Sequence, residues 1–176
     1  MEVVTKGLQE EHIVIGRFLT SLEWLSLKLE SGALVDPDVV GLQLKFLRNF
    51  VSACHHRKEE AYLFPSVRGR DADVDRLIDE LVGEHREAER LTASIEDGWT
   101  SGDLSEVASA ASSLASLLRR HISVENDVAF AYVEMFLDDE KKRTLAKEME
   151  SFDSQNGCGI NAYEEIVESI ARSIAG

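Results

Sequence analysis

Apolar residues recur at alternating steps of three and four along most of this chain, which places them on one face of successive helices. A first helix is predicted over residues 5–31. Its stripe is Leu8, His12, Ile15, Leu19, Leu22, Leu25 and Leu29, and Gly32 closes it. The steps approximate a seven-residue repeat, as a bundle seam requires. Asp36 and Pro37 supply a cap and a first-turn residue for a second helix, which Pro65 should stop after Phe64. Its stripe reads Val40, Leu44, Leu47, Val51, His55, Glu59, Tyr62. A third helix over residues 74–99 carries Leu77 or Ile78, then Leu81, His85, Ala88, Leu91, Ile95 and Trp99. A fourth, over residues 104–136, carries Val107, Ala111, Leu114, Leu118, His121, Glu125, Val128 and Tyr132. Alanine and serine fill residues 108–113 of that helix, where a neighbour could approach closely.

After Phe136 the pattern weakens. Asp138 or Asp139 caps a shorter helix over residues 140–152 that could dock through Leu145 and Met149. A loop is expected over residues 153–159, then a last amphipathic helix over residues 162–174 with Ile166, Ile170 and Ile174 inward. The fold class expected is all-α: an antiparallel up-down four-helix bundle over residues 1–137, with additional C-terminal helices over residues 138–176 packing on it. Docking is the role expected of this extension, which carries no obvious chemistry.

The polar members of the stripes change this picture. His12, His55, Glu59, His85, His121 and Glu125 occupy seam positions on four helices, where an imidazole or carboxylate is costly unless paired or coordinated. Four of the five histidines fall there. His55-x3-Glu59 and His121-x3-Glu125 are repeated pairs one helical turn apart, and Glu11-His12 and Glu84-His85 repeat on the helix preceding each. Two helical hairpins of similar build would bring the six side chains together near an approximate two-fold axis. Four imidazoles and two carboxylates suit a pair of divalent first-row metals, each with two imidazoles and with both carboxylates bridging. Bridging carboxylates with open positions favour iron. Two non-haem Fe ions would leave a local charge of about +2, which an oxo or hydroxo bridge or a bound anion offsets. Zinc is a possible substitute.

Other residues near these pairs draw blander expectations. His56 lies about 100° around the helix from His55 and is expected to face solvent, with Glu60 similar. Glu11 and Glu84 are expected on the surface, and Tyr62 and Tyr132 in core packing.

At these residues the chain resembles a known family. His55-His56-Arg57-Lys58-Glu59-Glu60 with Leu63-Phe64-Pro65 resembles the core motif of the hemerythrin-like (HHE cation-binding) domain family. His121-Ile122-x2-Glu125-Asn126 resembles its second copy, with Ala131 where proline often stands. Leu81-x2-Glu84-His85 and Glu11-His12 are similar to its third- and first-helix motifs. The resemblance spans residues 8–136. It implies a four-helix bundle with a di-iron centre on His12, His55, Glu59, His85, His121 and Glu125. The oxygen-carrying members have a fifth histidine, in an H-x3-H pair on the third helix. Here Leu81 and Glu89 flank His85, so either Glu89 stands in or the arrangement resembles the four-histidine, two-carboxylate set of di-iron iron–sulfur repair proteins.

Charge and cysteine content narrow the partners. The net charge of −14, from 19 basic and 33 acidic residues, argues against nucleic acid and anionic membrane as partners. Cys54 and Cys158 read as reduced thiols of a cytoplasmic protein, with Cys54 buried as a small apolar residue. No signal peptide or membrane span is expected. The function expected is binding or sensing of O2, NO or peroxide at a carboxylate-bridged iron pair. The alternatives are an iron–sulfur repair or peroxide-degrading enzyme, and a zinc-bound or metal-free interaction module whose acidic surface meets a protein partner.

Overall fold

The computed structural model describes residues 4–175, and among these every regular element is helical. Helix α1 is Lys6–Glu30. Helix α2 runs without a break over residues 37–67, in segments that include Pro37–Phe46, Leu47–His56, Glu59–Leu63 and Phe64–Val67. Helix α3 is Ala72–Ser101. Helix α4 covers residues 104–136 as Leu104–Val124, Glu125–Ala129 and Phe130–Phe136. Asp139–Asn156 and Ile160–Ile174 form α5 and α6. Aspartates cap most starts: Asp36, Asp71, Asp103 and Asp138 each accept a backbone N–H from the first turn. Gly102, at φ +80°, ends α3 in the left-handed conformation that only glycine adopts freely.

Helices α1 to α4 form the bundle, with α4 packed along both α1 and α3. Every predicted α1 stripe residue is buried, as are Ile78 to Ile95 of the α3 stripe. On α4 the small residues divide by face: Ala108, Ala110 and Ala111 point inward, while Ser109, Ser112 and Ser113 face out. Gly98 lets the α3–α4 turn close, because a Cβ there would meet Val107 Cγ2 at 3.0 Å. The apolar core falls into two clusters separated by a polar layer. Leu118, Val51 and Ala88 belong to one cluster, and Leu8, Leu63, Leu81 and Phe130 to the other. The six seam histidines and glutamates lie between them along the chain.

Three segments are π-helical, and they correct the register expected from a 3.6-residue period. Leu47–His56, Glu59–Leu63 and Glu125–Ala129 each widen the turn to i→i+5 hydrogen bonding. After Glu125 the inward residues are therefore Ala129, Phe130 and Val133, whereas Val128 is exposed and Tyr132 only half-buried. On α2, Phe46 and Phe50 become core residues. The helix also passes through Pro65 to Val67 rather than stopping at Phe64. Proline sits in the first turn beyond the π segment, where its fixed φ is helical and its missing donor is tolerated.

The extension differs most from expectation. Helix α5 continues through the predicted loop to Asn156, and α6 packs on α1 and α2. Leu145, Met149, Val167 and Ile170 are its buried contacts. Cys54 and Cys158, expected as free thiols, form a disulfide with Cα atoms 5.6 Å apart across 104 residues of chain. That separation hid the pairing: only the fold-back of the α5–α6 turn over α2 brings the sulfurs together. The thiol reading therefore no longer supports a reducing compartment. No helix among the described residues is long and apolar enough to cross a membrane.

Closing so long a loop should stabilise the chain by restricting its unfolded state. Cys158→Ser is expected to lower the unfolding free energy by about 2–4 kcal/mol with helix content kept. Urea titration followed by circular dichroism measures this, and an unchanged midpoint would show that the cross-link contributes nothing.

Candidate metal centre

The structure gathers all six predicted residues in the polar layer, each essentially buried. They form two groups that share the glutamates. One holds His12, His55, Glu59 and Glu125, the other Glu59, His85, His121 and Glu125, with the potential ligand atoms of each group within 4.8 Å of one another. Glu59 Oε1 lies 3.5 Å from His55 Nε2, and its Oε2 lies 3.5 Å from His85 Nε2. Glu125 Oε2 lies 3.2 Å from His12 Nε2, and its Oε1 lies 3.3 Å from His121 Nε2. Each carboxylate thus offers one oxygen to either group.

The imidazoles are oriented from behind, by residues that follow the same two-fold pattern. His55 Nδ1 donates to Glu11 Oε2 at 2.7 Å, and His121 Nδ1 donates to Glu84 Oε2 at 2.9 Å. His12 Nδ1 donates to Asn126 Oδ1 at 2.9 Å, and His85 Nδ1 to Glu60 Oε1 at 2.8 Å. Asn126 and Glu60 each directly follow one of the shared glutamates. With every Nδ1 committed as a donor, every Nε2 lone pair turns inward. His12 and His55 then face each other Nε2 to Nε2 at 3.0 Å, and His85 and His121 at 3.1 Å. Two lone pairs at that distance repel unless a proton or cation lies between them.

The carboxylates carry the same demand. All four oxygens of Glu59 and Glu125 are buried without a hydrogen-bond partner. A bare buried carboxylate costs several kcal/mol, so this donor set fits a pair of cations bound between the imidazole pairs. Without metal, protons take that role. Burial alone would lower the His121 pKa, but the facing Glu125 charge and the Glu84 contact outweigh it and hold it at about 10. His12 and His85 are raised in the same sense, burial being outweighed by Glu125 for one and Glu59 for the other. Burial likewise opposes ionisation of Glu125, yet His121 and His12 keep its pKa well below the usual carboxylate range.

The π turns complete the arrangement. Phe64 and Phe130 each follow a shared glutamate by five residues and donate their backbone N–H to its carbonyl. Their rings stack on His85 and His12, with centroids 5.9 and 5.4 Å apart. Lys58, buried at 2 % exposure, bonds Glu11 and reaches Asp153 of α5 at 2.7 and 2.8 Å. A chain of contacts therefore runs from the extension through Lys58 and Glu11 to His55.

Several expectations are corrected here. Glu11 is buried rather than on the surface, and Glu84 is only partly exposed; they sit behind His55 and His121. Glu60 is half-buried against His85 rather than free in solvent. His56 is buried, its ring stacked on His85 at 3.8 Å, because the π segment ending at His56 turns it inward. Glu89 does not join the cluster: it is exposed and accepts from Ser52 Oγ at 2.7 Å. Tyr62 packs edge-on against Phe152 of α5, outside both groups. Sequence reasoning assigned no role to Lys58, Asn126, Phe130 or Asp153. The repeated Glu-x4-Phe spacing was a usable signal for the phenylalanines; nothing marked Asp153.

A family model described as the hemerythrin HHE cation binding domain matches residues 3–133, about three-quarters of the chain. No curated protein and no solved structure matches it.

Two outcomes follow from the geometry. Because the folded pKa of His121 lies above its ordinary 6.5, its contribution to the stability of metal-free protein is full below that pH. It is lost as pH rises through about 10. Metal-free protein should therefore unfold at lower urea near pH 10 than near pH 7, while metal affinity rises across the same interval as protons cease to compete. Equal urea midpoints at both pH values would contradict the assigned proton. Glu11→Gln should weaken metal binding roughly 10–100-fold by loosening His55, measured by competition with a chromogenic chelator; unchanged affinity would remove Glu11 from the site.

Proposed function

The chain belongs to the hemerythrin HHE cation-binding domain family, and from that premise we propose that it holds two non-haem iron ions and binds O2, NO or peroxide there. The carrying observation is the set of four orphaned carboxylate oxygens on Glu59 and Glu125, facing four inward Nε2 atoms. His12 and His55 would hold one ion, His85 and His121 the other, with both glutamates bridging. Bound iron would supply open coordination positions and reversible one-electron chemistry. The chain's own residues fix the imidazole tautomers through Nδ1, exclude bulk water with two apolar clusters, and balance charge with buried carboxylates.

Access favours a small ligand. A cavity of about 220 Å³ opens between α2, α3 and α4, lined by Val51, Ser52, His56, Glu89, Thr92 and Leu118 among others. That space is ample for a diatomic molecule or peroxide to reach His56. The acidic surface argues for such a partner over nucleic acid or anionic membrane. A metal-free interaction module accounts poorly for buried carboxylates without partners. The four-histidine, two-glutamate symmetry keeps iron–sulfur repair or peroxide breakdown as the second reading, distinguished by turnover with peroxide or by iron transfer to an apo iron–sulfur protein.

Protein purified anaerobically and reconstituted with Fe(II) is expected to hold two irons per chain, from the two groups present. It should develop charge-transfer absorption that responds to O2, NO or peroxide. Iron-loaded protein indifferent to all three would refute ligand binding. Glu59→Ala should abolish most metal uptake, and full loading of that variant would refute the bridging role.

A further inference from the structure

Two ties join the C-terminal extension to one turn of α2, and both bear on His55. The first is covalent: Cys158, in the α5–α6 turn, is bonded to Cys54, the residue before His55. The second is ionic. Asp153 meets Lys58 at 2.7 and 2.8 Å, and Lys58 also bonds Glu11, which accepts from His55 Nδ1 at 2.7 Å. Cys54 and Lys58 stand four residues apart on α2, and Asp153 and Cys158 five apart in the extension. The other half of the centre is built differently. There Glu84, behind His121, pairs with the exposed Arg120 at 2.8 Å.

Apolar packing anchors the extension lightly. Leu145 and Met149 of α5 and Val167 and Ile170 of α6 are its fully buried helical side chains, whereas α1 alone has twelve buried residues. Residues 154–157 and Gly159, around the turn, are exposed. A segment with few buried contacts opens locally at lower cost than the bundle core. The disulfide is shielded while the turn is docked, each cysteine being 2 % exposed, and it is reached when that turn lifts.

We propose that the Cys54–Cys158 disulfide is a redox clamp on one half of the centre. Closed, it holds the extension against His55 and raises the affinity of the His12–His55 group for its metal. Opened by a dithiol reductant, it lowers that affinity while the His85–His121 group keeps its own. The proposal rests on the metal-pair reading above and adds its regulation. In the opening step one thiolate of the dithiol attacks Cys158 Sγ, the S–S bond breaks, and Cys54 leaves as a thiolate that takes a proton. The second thiol then displaces Cys158. Two electrons and two protons thereby reach the cysteines, and the reductant departs as its cyclic disulfide. With the covalent tie gone, the turn lifts more often. Each lifting takes Asp153 from Lys58 and loosens Glu11 behind His55.

The test uses the intact chain in its oxidised form and after treatment with dithiothreitol, which is then removed anaerobically. Labelling with a maleimide counts the thiols released, and Zn(II) is titrated into each form against a chromogenic chelator. Treatment should release both cysteines without denaturant. One of the two Zn(II) affinities should then fall roughly tenfold or more while the other is kept. The lowered affinity should be the one that Glu11→Gln also lowers. Cys158→Ser should match the reduced chain whether or not it has met dithiothreitol, and the reduced wild type carries the test should that variant not fold. Unchanged affinities after reduction would overturn the clamp while leaving the metal pair intact. Equal loss at both sites would overturn it too, because that reports general loosening, as would a disulfide that dithiothreitol opens only in denaturant. An oxidised chain that holds fewer than two Zn(II) ions would overturn the pair reading and the clamp with it.

Discussion

Two buried glutamates with no hydrogen-bond partner set the terms for the rest of this molecule. Glu59 and Glu125 are fully enclosed, and each ionised carboxylate left bare would cost several kcal/mol. A domain of this kind has only about 5–15 kcal/mol of net stability, so two such costs approach the total. The charge must be met locally, by cations or by protons on facing imidazoles. This requirement accounts for four histidines at seam positions. It accounts equally for the residues behind them: an imidazole that turns Nε2 inward must donate Nδ1 outward, and Glu11, Glu60, Glu84 and Asn126 receive those donors. The apolar core is split into two clusters because this layer crosses the bundle between them.

The π segments are how a helical backbone serves that layer. A regular α-helix carries His-x3-Glu on one face but sends the next aromatic residue elsewhere. Widening the turn after each glutamate brings the residue five positions on over the same point, so Phe64 and Phe130 cover His85 and His12. The additional π segment on α2 has a second effect: two consecutive histidines, His55 and His56, both turn inward.

Legibility in the sequence follows from this mechanics. The α1 and α3 stripes obey a 3.6-residue period and could be read residue by residue. So could the six polar seam residues, because His-x3-Glu lies before each post-glutamate π turn. Residues past those turns could not. Val128 has the α-helical spacing of a core residue and is exposed, whereas Phe130 lacks it and is buried. His56 was misplaced because 100° per residue overstates its rotation within a π segment. Glu11 was misread, and Glu84 in part, because adjacency to a seam histidine on one helix says nothing about the neighbouring helix they reach. The Cys54–Cys158 and Lys58–Asp153 links depend on where the extension folds, which no local pattern encodes.

The symmetric frame supports two different halves. On the side of His12 and His55 the extension closes over the bundle. Asp153 engages Lys58, Lys58 engages Glu11, and Glu11 holds His55, while Cys158 is bonded to Cys54 immediately before that histidine. His55 is therefore fixed through its hydrogen bond and through its backbone neighbour at once. On the side of His85 and His121 the supporting carboxylates, Glu60 and Glu84, are half-exposed, and a cavity leads in past Ser52 and Glu89 to His56. A repeated hairpin supplies equivalent imidazoles and carboxylates to both halves. The single-copy features, one extension and one additional π segment, close one half over and leave beside the other a further buried imidazole, His56, and an opening to solvent.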